Sequence, residues 1–420
     1  MKIQRCKGMH DLSPAEMTVF RLLEGICRDC FLKWGYQEVR TPTIEYLHLF
    51  TSAGTLTPGM LGKVYSFLDW DGWSGERVVL RPDGTIPVAR LYIENMPGGE
   101  PARLFYATNI FIFEEAGEKT RERWQCGAEL IGAGSAMADA ELIALSLEIL
   151  KKLGLKGVEL RLSHAGLIKS LLIKLGLSLE EQNKIFDRIL DGDAEALAKI
   201  SRESPELGNL LPLLSLNGQS TGFLRNQRAL LSRSVPEIRS PLDDFLKTVA
   251  LLDELGLKYQ VNIASGAGFE YYTGIIFQLF SGEEKIGGGG RYDALIPSMG
   301  GGDVPASGFA LYLDRLMSLV KTEAIAPPLP RRISIRVKAG DADAVKQAFK
   351  AADSLRKAGY ITEFDLDGRK PETRWMLEVQ GKAPVFTLVD NLKARRTEAN
   401  SINEVLRLME GEGADKNSPA

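Results

Sequence analysis

The chain has 420 residues, of which 44% are hydrophobic and 25% charged, and its formal net charge is −3. This length exceeds one ordinary domain, so two or three domains are expected, with the composition of a soluble globular protein. The net negative charge argues against a protein whose main function is to grip nucleic acid through a basic surface. Because the sequence has neither an apolar run of ~18 residues nor a secretory signal, a cytoplasmic location is expected.

The first 160 or so residues predict alternating helices and strands. Apolar residues recur at helical spacing from about 14 to 34, and a second helix from about 136 to 153 ends at Gly154. The segments that predict strands are GYQEVRTPTIE (35–45), 77–81, 103–115, 123–132 and 158–164.

Residues 165–235 change character, with a leucine-rich helical pattern that predicts a helical insertion. A further helix at about 241–255 precedes the predicted strands KYQVNIA (258–264) and YYTGIIFQLF (271–280). The glycine-rich KIGGGGRYDAL follows, and then ASGFALYLDRLMSLV (306–320), which predicts a strand followed by a helix.

The prolines of IAPPLPRR (325–332) predict a linker between a core of residues 1–324 and a second domain of residues 333–410. In that second domain the pattern predicts β-α-β-α-β-α with parallel strands, including a second helix before the strand PVFTLVD (384–390). The tail 411–420 is expected to be disordered.

Cys27 and Cys30 have the C-x-x-C spacing that occurs in zinc and redox sites. The pair lies within the first predicted helix, and the other cysteines and the three histidines show no metal-ligand spacing. Because a structural zinc needs four ligands, ordinary packing is the favoured interpretation. No metal and no cofactor are expected.

The segment GGGGRYDAL matches neither the phosphate-binding P-loop nor the dinucleotide-binding glycine pattern. Two interpretations stay open for its glycines. They allow a close backbone approach at the exit of a hairpin, or they form the floor of a ligand pocket.

Seven segments, in order, resemble the class II aminoacyl-tRNA synthetases and specifically the histidyl-tRNA synthetases. They are KGMHDLSP (7–14), GYQEVRTPTIE with Pro42 at the dimer-forming corner of motif 1, LRPDGTIPVAR (80–90), the motif 2 region 111–132, AGFEYYTGIIF (267–277), GGGGRYDAL, and ASGFALYLDRL of motif 3. Residues 333–410 have a weaker likeness to the anticodon-binding domain. The resemblance implies an α+β core with a class II synthetase-like antiparallel sheet flanked by helices, a helical insertion and a small C-terminal α/β domain.

Two arginines of the family's motifs are missing. Motif 2 of the synthetases reads F-R-x-E, and its arginine holds the α-phosphate of ATP, whereas this chain has Ile112. The arginine that opens the histidine-specific motif is replaced by Ala267. Arg121 and Arg315 match remaining motif 2 and motif 3 arginines and are candidates for residual phosphate binding. Because fixed cations stabilise the transition state of adenylate formation, activation is not expected and no catalytic residue is assigned.

The strand around Gly127 alternates, so that Gln125, Gly127 and Glu129 share one face and the residues between them face the core. From the residues alone, this face could border a pocket, or Gly127 could mark a bulge while its neighbours face solvent. The resemblance favours a retained pocket for histidine, whose further ligand-binding candidates are Asp83, Thr85, Tyr271 and Tyr272.

A synthetase scaffold without activation chemistry resembles the regulatory subunits of ATP phosphoribosyltransferase, as does the loop R-P-D-x-T at residues 81–85. That likeness implies a non-catalytic subunit required for the first step of histidine biosynthesis, with histidine as a feedback effector. It also implies a homodimer within a hetero-oligomer that contains a short-form catalytic subunit. The alternative is a divergent histidyl-tRNA synthetase that activates histidine with ATP, which the C-terminal domain favours. Neither a membrane nor a nucleic-acid partner is expected.

Overall fold

The computed structural model describes the chain except residues 1–2, 54–61, 63, 71–74, 97–99, 114–119, 175–216, 219, 232–235, 263–270, 322–324, 326–330, 338–340, 367, 369–372 and 412–420. The chain divides into two compact units, Met1–Ile325 and Ala326–Ala420. Each unit has its own buried hydrophobic core.

The first unit is built on a sheet of nine strands among the described residues, in the order β1-β5-β6-β12-β11-β10-β7-β9-β8. From β5 to β7 along this order, all neighbours are antiparallel, which confirms the predicted antiparallel sheet. The strands β2, β4 and β3 form a separate small sheet. In chain order the strands are β1 (Gln37–Glu38), β2 (Ile44–Tyr46), β3 (Ser66–Trp70), β4 (Gly75–Leu80), β5 (Ala102–Phe111), β6 (Glu122–Ile131), β7 (Val158–His164), β8 (Asn217–Gly218), β9 (Gln260–Asn262), β10 (Ile275–Ser281), β11 (Glu284–Arg291) and β12 (Ala306–Tyr312).

Helices flank this sheet, and the predicted helices near 14–34, 136–153 and 241–255 are confirmed. The helices of the first unit, within the described residues, are α1 (Pro14–Lys33), α2 (Leu47–Ser52), α3 (Thr85–Asn95), α4 (Ala136–Lys152), α5 (Ala165–Lys174), α6 (Thr221–Leu231), α7 (Arg239–Glu254), α8 (Leu295–Ser298) and α9 (Leu313–Leu319). Helix α1 begins with a reciprocal cap, in which the Ser13 hydroxyl accepts the Glu16 N–H at 3.3 Å and the Glu16 carboxylate accepts the Ser13 N–H at 2.8 Å.

Helix α1 covers one face of the sheet. Phe31 of the helix stacks on Phe105 of β5 with ring centres 4.9 Å apart, and Phe20 meets Trp124 of β6 edge-on at the same distance. Cys27 and Cys30 are both buried within this helix, which confirms that they pack in the core. The opposite face of the sheet is thereby left for other contacts.

The predicted helical insertion at 165–235 falls largely outside the described residues. Its described parts are helices α5 and α6 and the short strand β8, and a 3₁₀ turn at Pro236–Ile238 follows directly after it. The predicted disordered tail also lies outside the described residues, except for its first residue, Gly411, which ends a helix.

Within its described residues, the second unit has a mixed sheet in the order β14-β13-β15-β16-β17 and two helices. Strand β13 is parallel to both neighbours, but β15–β16 and β16–β17 are antiparallel, so the prediction of parallel strands throughout was wrong. The helix predicted before PVFTLVD was also wrong, because WMLEV forms strand β15 and is buried on both faces. Such a run has no alternation to distinguish a strand from a helix. The elements are β13 (Arg332–Val337), β14 (Ile361–Phe364), β15 (Trp375–Val379), β16 (Phe386–Asp390), β17 (Arg395–Ala399), α10 (Ala342–Lys357) and α11 (Ile402–Gly411).

Candidate functional site

The face of the main sheet opposite α1 has a central floor with almost no side chains. Gly127, Ala310 and Gly288 lie side by side on β6, β12 and β11, and paired residues project from the same face. A Cβ atom at Gly288 would lie 2.7 Å from the backbone oxygen of Phe277, so a larger residue does not fit. The glycine-rich segment thus lies in β11, the second strand of the β10–β11 hairpin, where it allows the neighbouring backbones to approach closely. The same glycines line the cavity described below, so both interpretations of the segment hold.

The pairing of β6 with both neighbours is unbroken through Gly127, so this glycine does not mark a bulge. Gln125 and Glu129 are 3% and 0% exposed, respectively, so they do not face solvent either. Gly127 itself is covered by the ring of Tyr106, which crosses the sheet from β5. The structure therefore places Gly127 beneath a tyrosine and not at the open part of the floor.

The Glu129 carboxyl is surrounded by hydroxyl groups. Thr85 donates a hydrogen bond to Oε1 at 2.8 Å, Tyr106 donates to the same oxygen at 3.2 Å, and Tyr292 donates to Oε2. Complete burial raises the pKa of Glu129 to about 8, although the hydrogen bonds from Tyr292 and Thr85 act in the opposite direction. The carboxyl is therefore mostly protonated at neutral pH and can act both as a donor and as an acceptor.

Asp83 lies just before helix α3, where its carboxylate accepts the backbone N–H of Ile86 at 3.1 Å. Burial raises the pKa of Asp83 to about 6, and backbone N–H groups at the start of the helix limit this shift. Asp83 is thus ionised above that pH and presents a buried negative charge.

The loop that carries Asp83 is anchored by Arg81. Its buried guanidinium donates to the backbone oxygens of Thr41 at 2.8 Å, Pro42 at 2.9 Å and Asn109 at 2.8 Å, and to the Asn109 side chain at 2.8 Å. Arg81 therefore ties the loop both to the Pro42 corner and to strand β5. This arginine has a structural role here.

Gln125 and two tyrosines form another part of the wall. The Gln125 side-chain oxygen is buried and has no hydrogen-bond partner among the described residues. Tyr271 lies 5.1 Å from Tyr272 and 5.4 Å from Tyr292, measured between ring centres. A buried acceptor without a partner costs about 1–3 kcal/mol, which a ligand N–H group would offset.

These residues border one cavity with about 470 Å³ of free space, including its open mouth. Of the predicted ligand-binding residues, five line this cavity: Asp83, Thr85, Gln125, Tyr271 and Tyr272. Glu129 lies directly behind them, bonded to Thr85 and Tyr292. The arrangement suits a small polar molecule with N–H donors.

The candidate phosphate-binding arginines are not among the residues that line the cavity in the described part of the chain. The Arg121 guanidinium lies 4.6 Å from the centre of the Phe113 ring. Arg315 donates a hydrogen bond to Glu284 at 2.7 Å and is half exposed. Ile112 lies one residue beyond β5, where its N–H donates to the Arg121 backbone oxygen at 2.9 Å. Ala267 lies outside the described residues.

Sequence reasoning missed several polar residues of the site, among them Tyr106, Tyr292, Gln278, Lys285 and Tyr312. Tyr292 stands in the quoted GGRYD segment, so the resemblance gave a signal that was not used. Tyr106 and Gln278 lie in strands whose residues carry no local mark of a site. Lys285 lines the cavity from the second position of β11.

The described residues contain neither a candidate membrane-spanning helix nor a candidate metal site. Each helix there is too short or too polar to cross a membrane. In the same ranges, histidine, cysteine, aspartate and glutamate side chains form no group of three or more that could hold a metal ion.

Comparisons with known proteins place the chain in a family. A family model described as histidyl-tRNA synthetase matches residues 8–316. ATP phosphoribosyltransferase regulatory subunits from three strains of Dehalococcoides mccartyi are 50% identical over 412 residues, which cover 98% of this chain and 99% of theirs. A histidine–tRNA ligase from Methanosarcina acetivorans is 34% identical over 84% of each chain.

Solved structures show the same fold. A regulatory subunit/histidyl-tRNA synthetase from Bacillus halodurans superposes with a TM-score of 0.73 at 23% identity, covering 89% of this chain and 95% of that chain. A histidyl-tRNA synthetase from Nostoc sp. PCC 7120 has a TM-score of 0.72 at 19% identity, covering 97% of this chain and 99% of that chain. From its family match and its near full-length relatives, the chain belongs to the histidyl-tRNA synthetase family and, within it, to the ATP phosphoribosyltransferase regulatory subunits.

Proposed function

We propose that this chain is a non-catalytic regulatory subunit of ATP phosphoribosyltransferase, acting in the first step of histidine biosynthesis. In this proposal it activates a separate, short-form catalytic subunit in the cytoplasm. The printed name of its 50% identical relatives supports the regulatory role. Because those alignments cover 98% of this chain, the C-terminal unit is shared with regulatory subunits and does not favour a synthetase.

The main evidence against catalysis is Ile112. This isoleucine stands where the synthetases have the arginine that holds the α-phosphate of ATP. Adenylate formation concentrates negative charge on the phosphates, and each fixed cation that stabilises it is worth roughly 10²–10³ in rate. With Ala267 in the place of a second arginine, the loss is about 10⁴–10⁶ if the two effects add. Arg315 is paired with Glu284 and does not line the cavity, so it offers no evident replacement.

Free histidine is the proposed effector, bound in the cavity on the sheet face. The ionised Asp83 carboxylate suits the α-amino group, and the unpartnered oxygen of Gln125 offers a second acceptor. Thr85 and Tyr271 in the wall offer hydroxyl groups to the imidazole ring, which both donates and accepts hydrogen bonds. Glu129 lies behind this wall and holds the Thr85 hydroxyl. Feedback then requires that histidine bind the two states of the complex with different affinity.

The proposed assembly is a homodimer formed through the motif 1 segment, within a hetero-oligomer with the catalytic subunit. Within the chain, Arg81 connects the Pro42 corner to the loop that carries Asp83. A change at the dimer corner could therefore reach the cavity through one side chain. Size measurements on the complex with the catalytic subunit would test the stoichiometry.

Two assays test the function. In ATP–pyrophosphate exchange with histidine, the purified chain should give no signal above background, with a motif-complete histidyl-tRNA synthetase as the positive control. When it is added to a short-form catalytic subunit, the phosphoribosyltransferase rate should rise, and histidine should lower that rate. Measurable exchange by the chain alone would contradict the proposal and favour the synthetase alternative.

A further inference from the structure

The charges around the cavity are unevenly distributed. Its acidic side has the Asp83 carboxylate in the wall, with the protonated Glu129 carboxyl behind Thr85. Among the described residues that line the cavity, Lys285 is the one cation. Lys285 belongs to β11, whereas the acidic groups belong to the loop before α3 and to strand β6.

The path of strand β11 brings Lys285 to this face. Leu279 pairs with Gly287, but Phe280 pairs with Lys285, so Ile286 is an extra residue that forms a β-bulge. The Lys285 Cε atom lies 3.6 Å from the position that a Cβ atom would take at Gly288. The end of the lysine side chain therefore lies next to Gly288 on the glycine floor.

We propose that Lys285 binds the α-carboxylate of the amino acid in this cavity, replacing the cation that the chain lacks at position 267. This inference rests on the proposed function, because it takes a free amino acid as the ligand. The acidic side of the cavity holds the α-amino group, and Lys285 holds the carboxylate from the floor. Lys285 is then a specificity-determining residue that distinguishes an amino acid from its amine.

The chemistry of a zwitterion favours this arrangement. An amino acid carries opposite charges on neighbouring groups, so a half-buried site must supply both an acid and a cation. A lysine side chain is flexible and carries three donors, which lets it meet a carboxylate from the side of a strand. Gln278 and Tyr312 line the same cavity and offer further donors.

A phosphate group could bind the same lysine as a carboxylate. The test therefore compares an amino acid, its analogue without the carboxylate, and a phosphate ligand. We suggest isothermal titration calorimetry of the full-length chain with histidine, with histidinol, which lacks the carboxylate, and with AMP. The variants are K285Q, K285R and the exposed control K258Q. A hydrogen bond between charged groups is worth about 10–100-fold in affinity.

We expect K285Q to weaken histidine binding by about 10–100-fold and to leave histidinol binding unchanged, while K285R restores part of the affinity and K258Q changes nothing. Equal losses for histidine and histidinol would mean a distorted cavity and would overturn the role of Lys285. A loss confined to AMP would also overturn it, in favour of a phosphate. A wild-type chain that binds no histidine would overturn the proposed effector as well, whereas histidine binding insensitive to K285Q would overturn this inference alone.

Discussion

The ring of Tyr106 lies so close to Gly127 that a Cβ atom at position 127 would be 2.5 Å from Cζ and 2.6 Å from the hydroxyl oxygen. The same ring also lies against Gly84, where a Cβ atom would be 2.4 Å from Cε2. Two glycines thus confine one tyrosine, and this position allows its hydroxyl to reach Glu129. The absence of two side chains determines the position of a third.

We therefore expect G127A to destabilise the first unit by about 1–3 kcal/mol, because the added methyl group must displace the Tyr106 ring in a packed interior. The measurement is the free energy of unfolding from urea denaturation. The control is G25A, in helix α1, where a Cβ atom meets nothing within 4 Å. That exposed helical substitution should stabilise the protein by roughly 0.5–1 kcal/mol. A neutral G127A would show that Tyr106 moves aside without cost.

The protonation of Glu129 predicts a pH dependence of stability. Its folded pKa of about 8 lies above the ordinary value of 4.5, so the folded chain holds a proton that the unfolded chain has released between these pH values. Stability from this group is therefore fully present below about pH 4.5 and is lost as the pH rises towards 8. The slope approaches about 1.4 kcal/mol per pH unit for one proton.

The comparison of the wild type with E129Q isolates this effect, because glutamine keeps the shape and does not titrate. Between about pH 5 and pH 8, the free energy of unfolding of the wild type should fall more steeply than that of E129Q. Asp83 has a pKa raised in the same sense, and its contribution remains in both proteins. Parallel curves for the two proteins would mean that Glu129 is ionised in the folded chain.

Arg81 is expected to be the most costly arginine to remove in this loop. R81M leaves the backbone oxygens of Thr41, Pro42 and Asn109 without their donor in a buried setting, which should cost about 2–5 kcal/mol of stability. Chemical denaturation provides the measurement. The matched control is R77M, since Arg77 is exposed and donates a hydrogen bond to Ser66 at 3.2 Å. A similar small loss for both variants would argue against Arg81 as an anchor.

Restoring both missing arginines should restore measurable activation of histidine with ATP. We expect I112R alone to give no ATP–pyrophosphate exchange, because position 267 still lacks its arginine, and I112R/A267R to raise exchange above background. Each restored contact is worth roughly 10²–10³ in rate, although the two need not be additive. The exchange assay with histidine checks this, with A267R alone as the second control. Exchange by I112R alone would show that one cation is sufficient.

The helix that the sequence predicted at about residues 14–34 is observed as α1. The apolar period of α1 depends on residues three or four apart, so it was visible without tertiary structure. The substitutions at Ile112 and Ala267 were likewise evident once the motifs had been aligned. In the second unit, by contrast, the apolar run WMLEV shows no alternation of buried and exposed residues. It forms a strand because β13 and β16 pair with it on either side.

The sequence by itself determined the family, the alternation that puts Gln125 and Glu129 on one face, and the missing arginines, because each is a property of neighbouring residues. Only the tertiary structure decided that Tyr106 covers Gly127, that Glu129 lies among hydroxyl groups, and that the end of Lys285 lies next to the glycine floor. These relationships arise from the register of strands far apart in the chain, which sets the contacts between them and leaves no local period to detect.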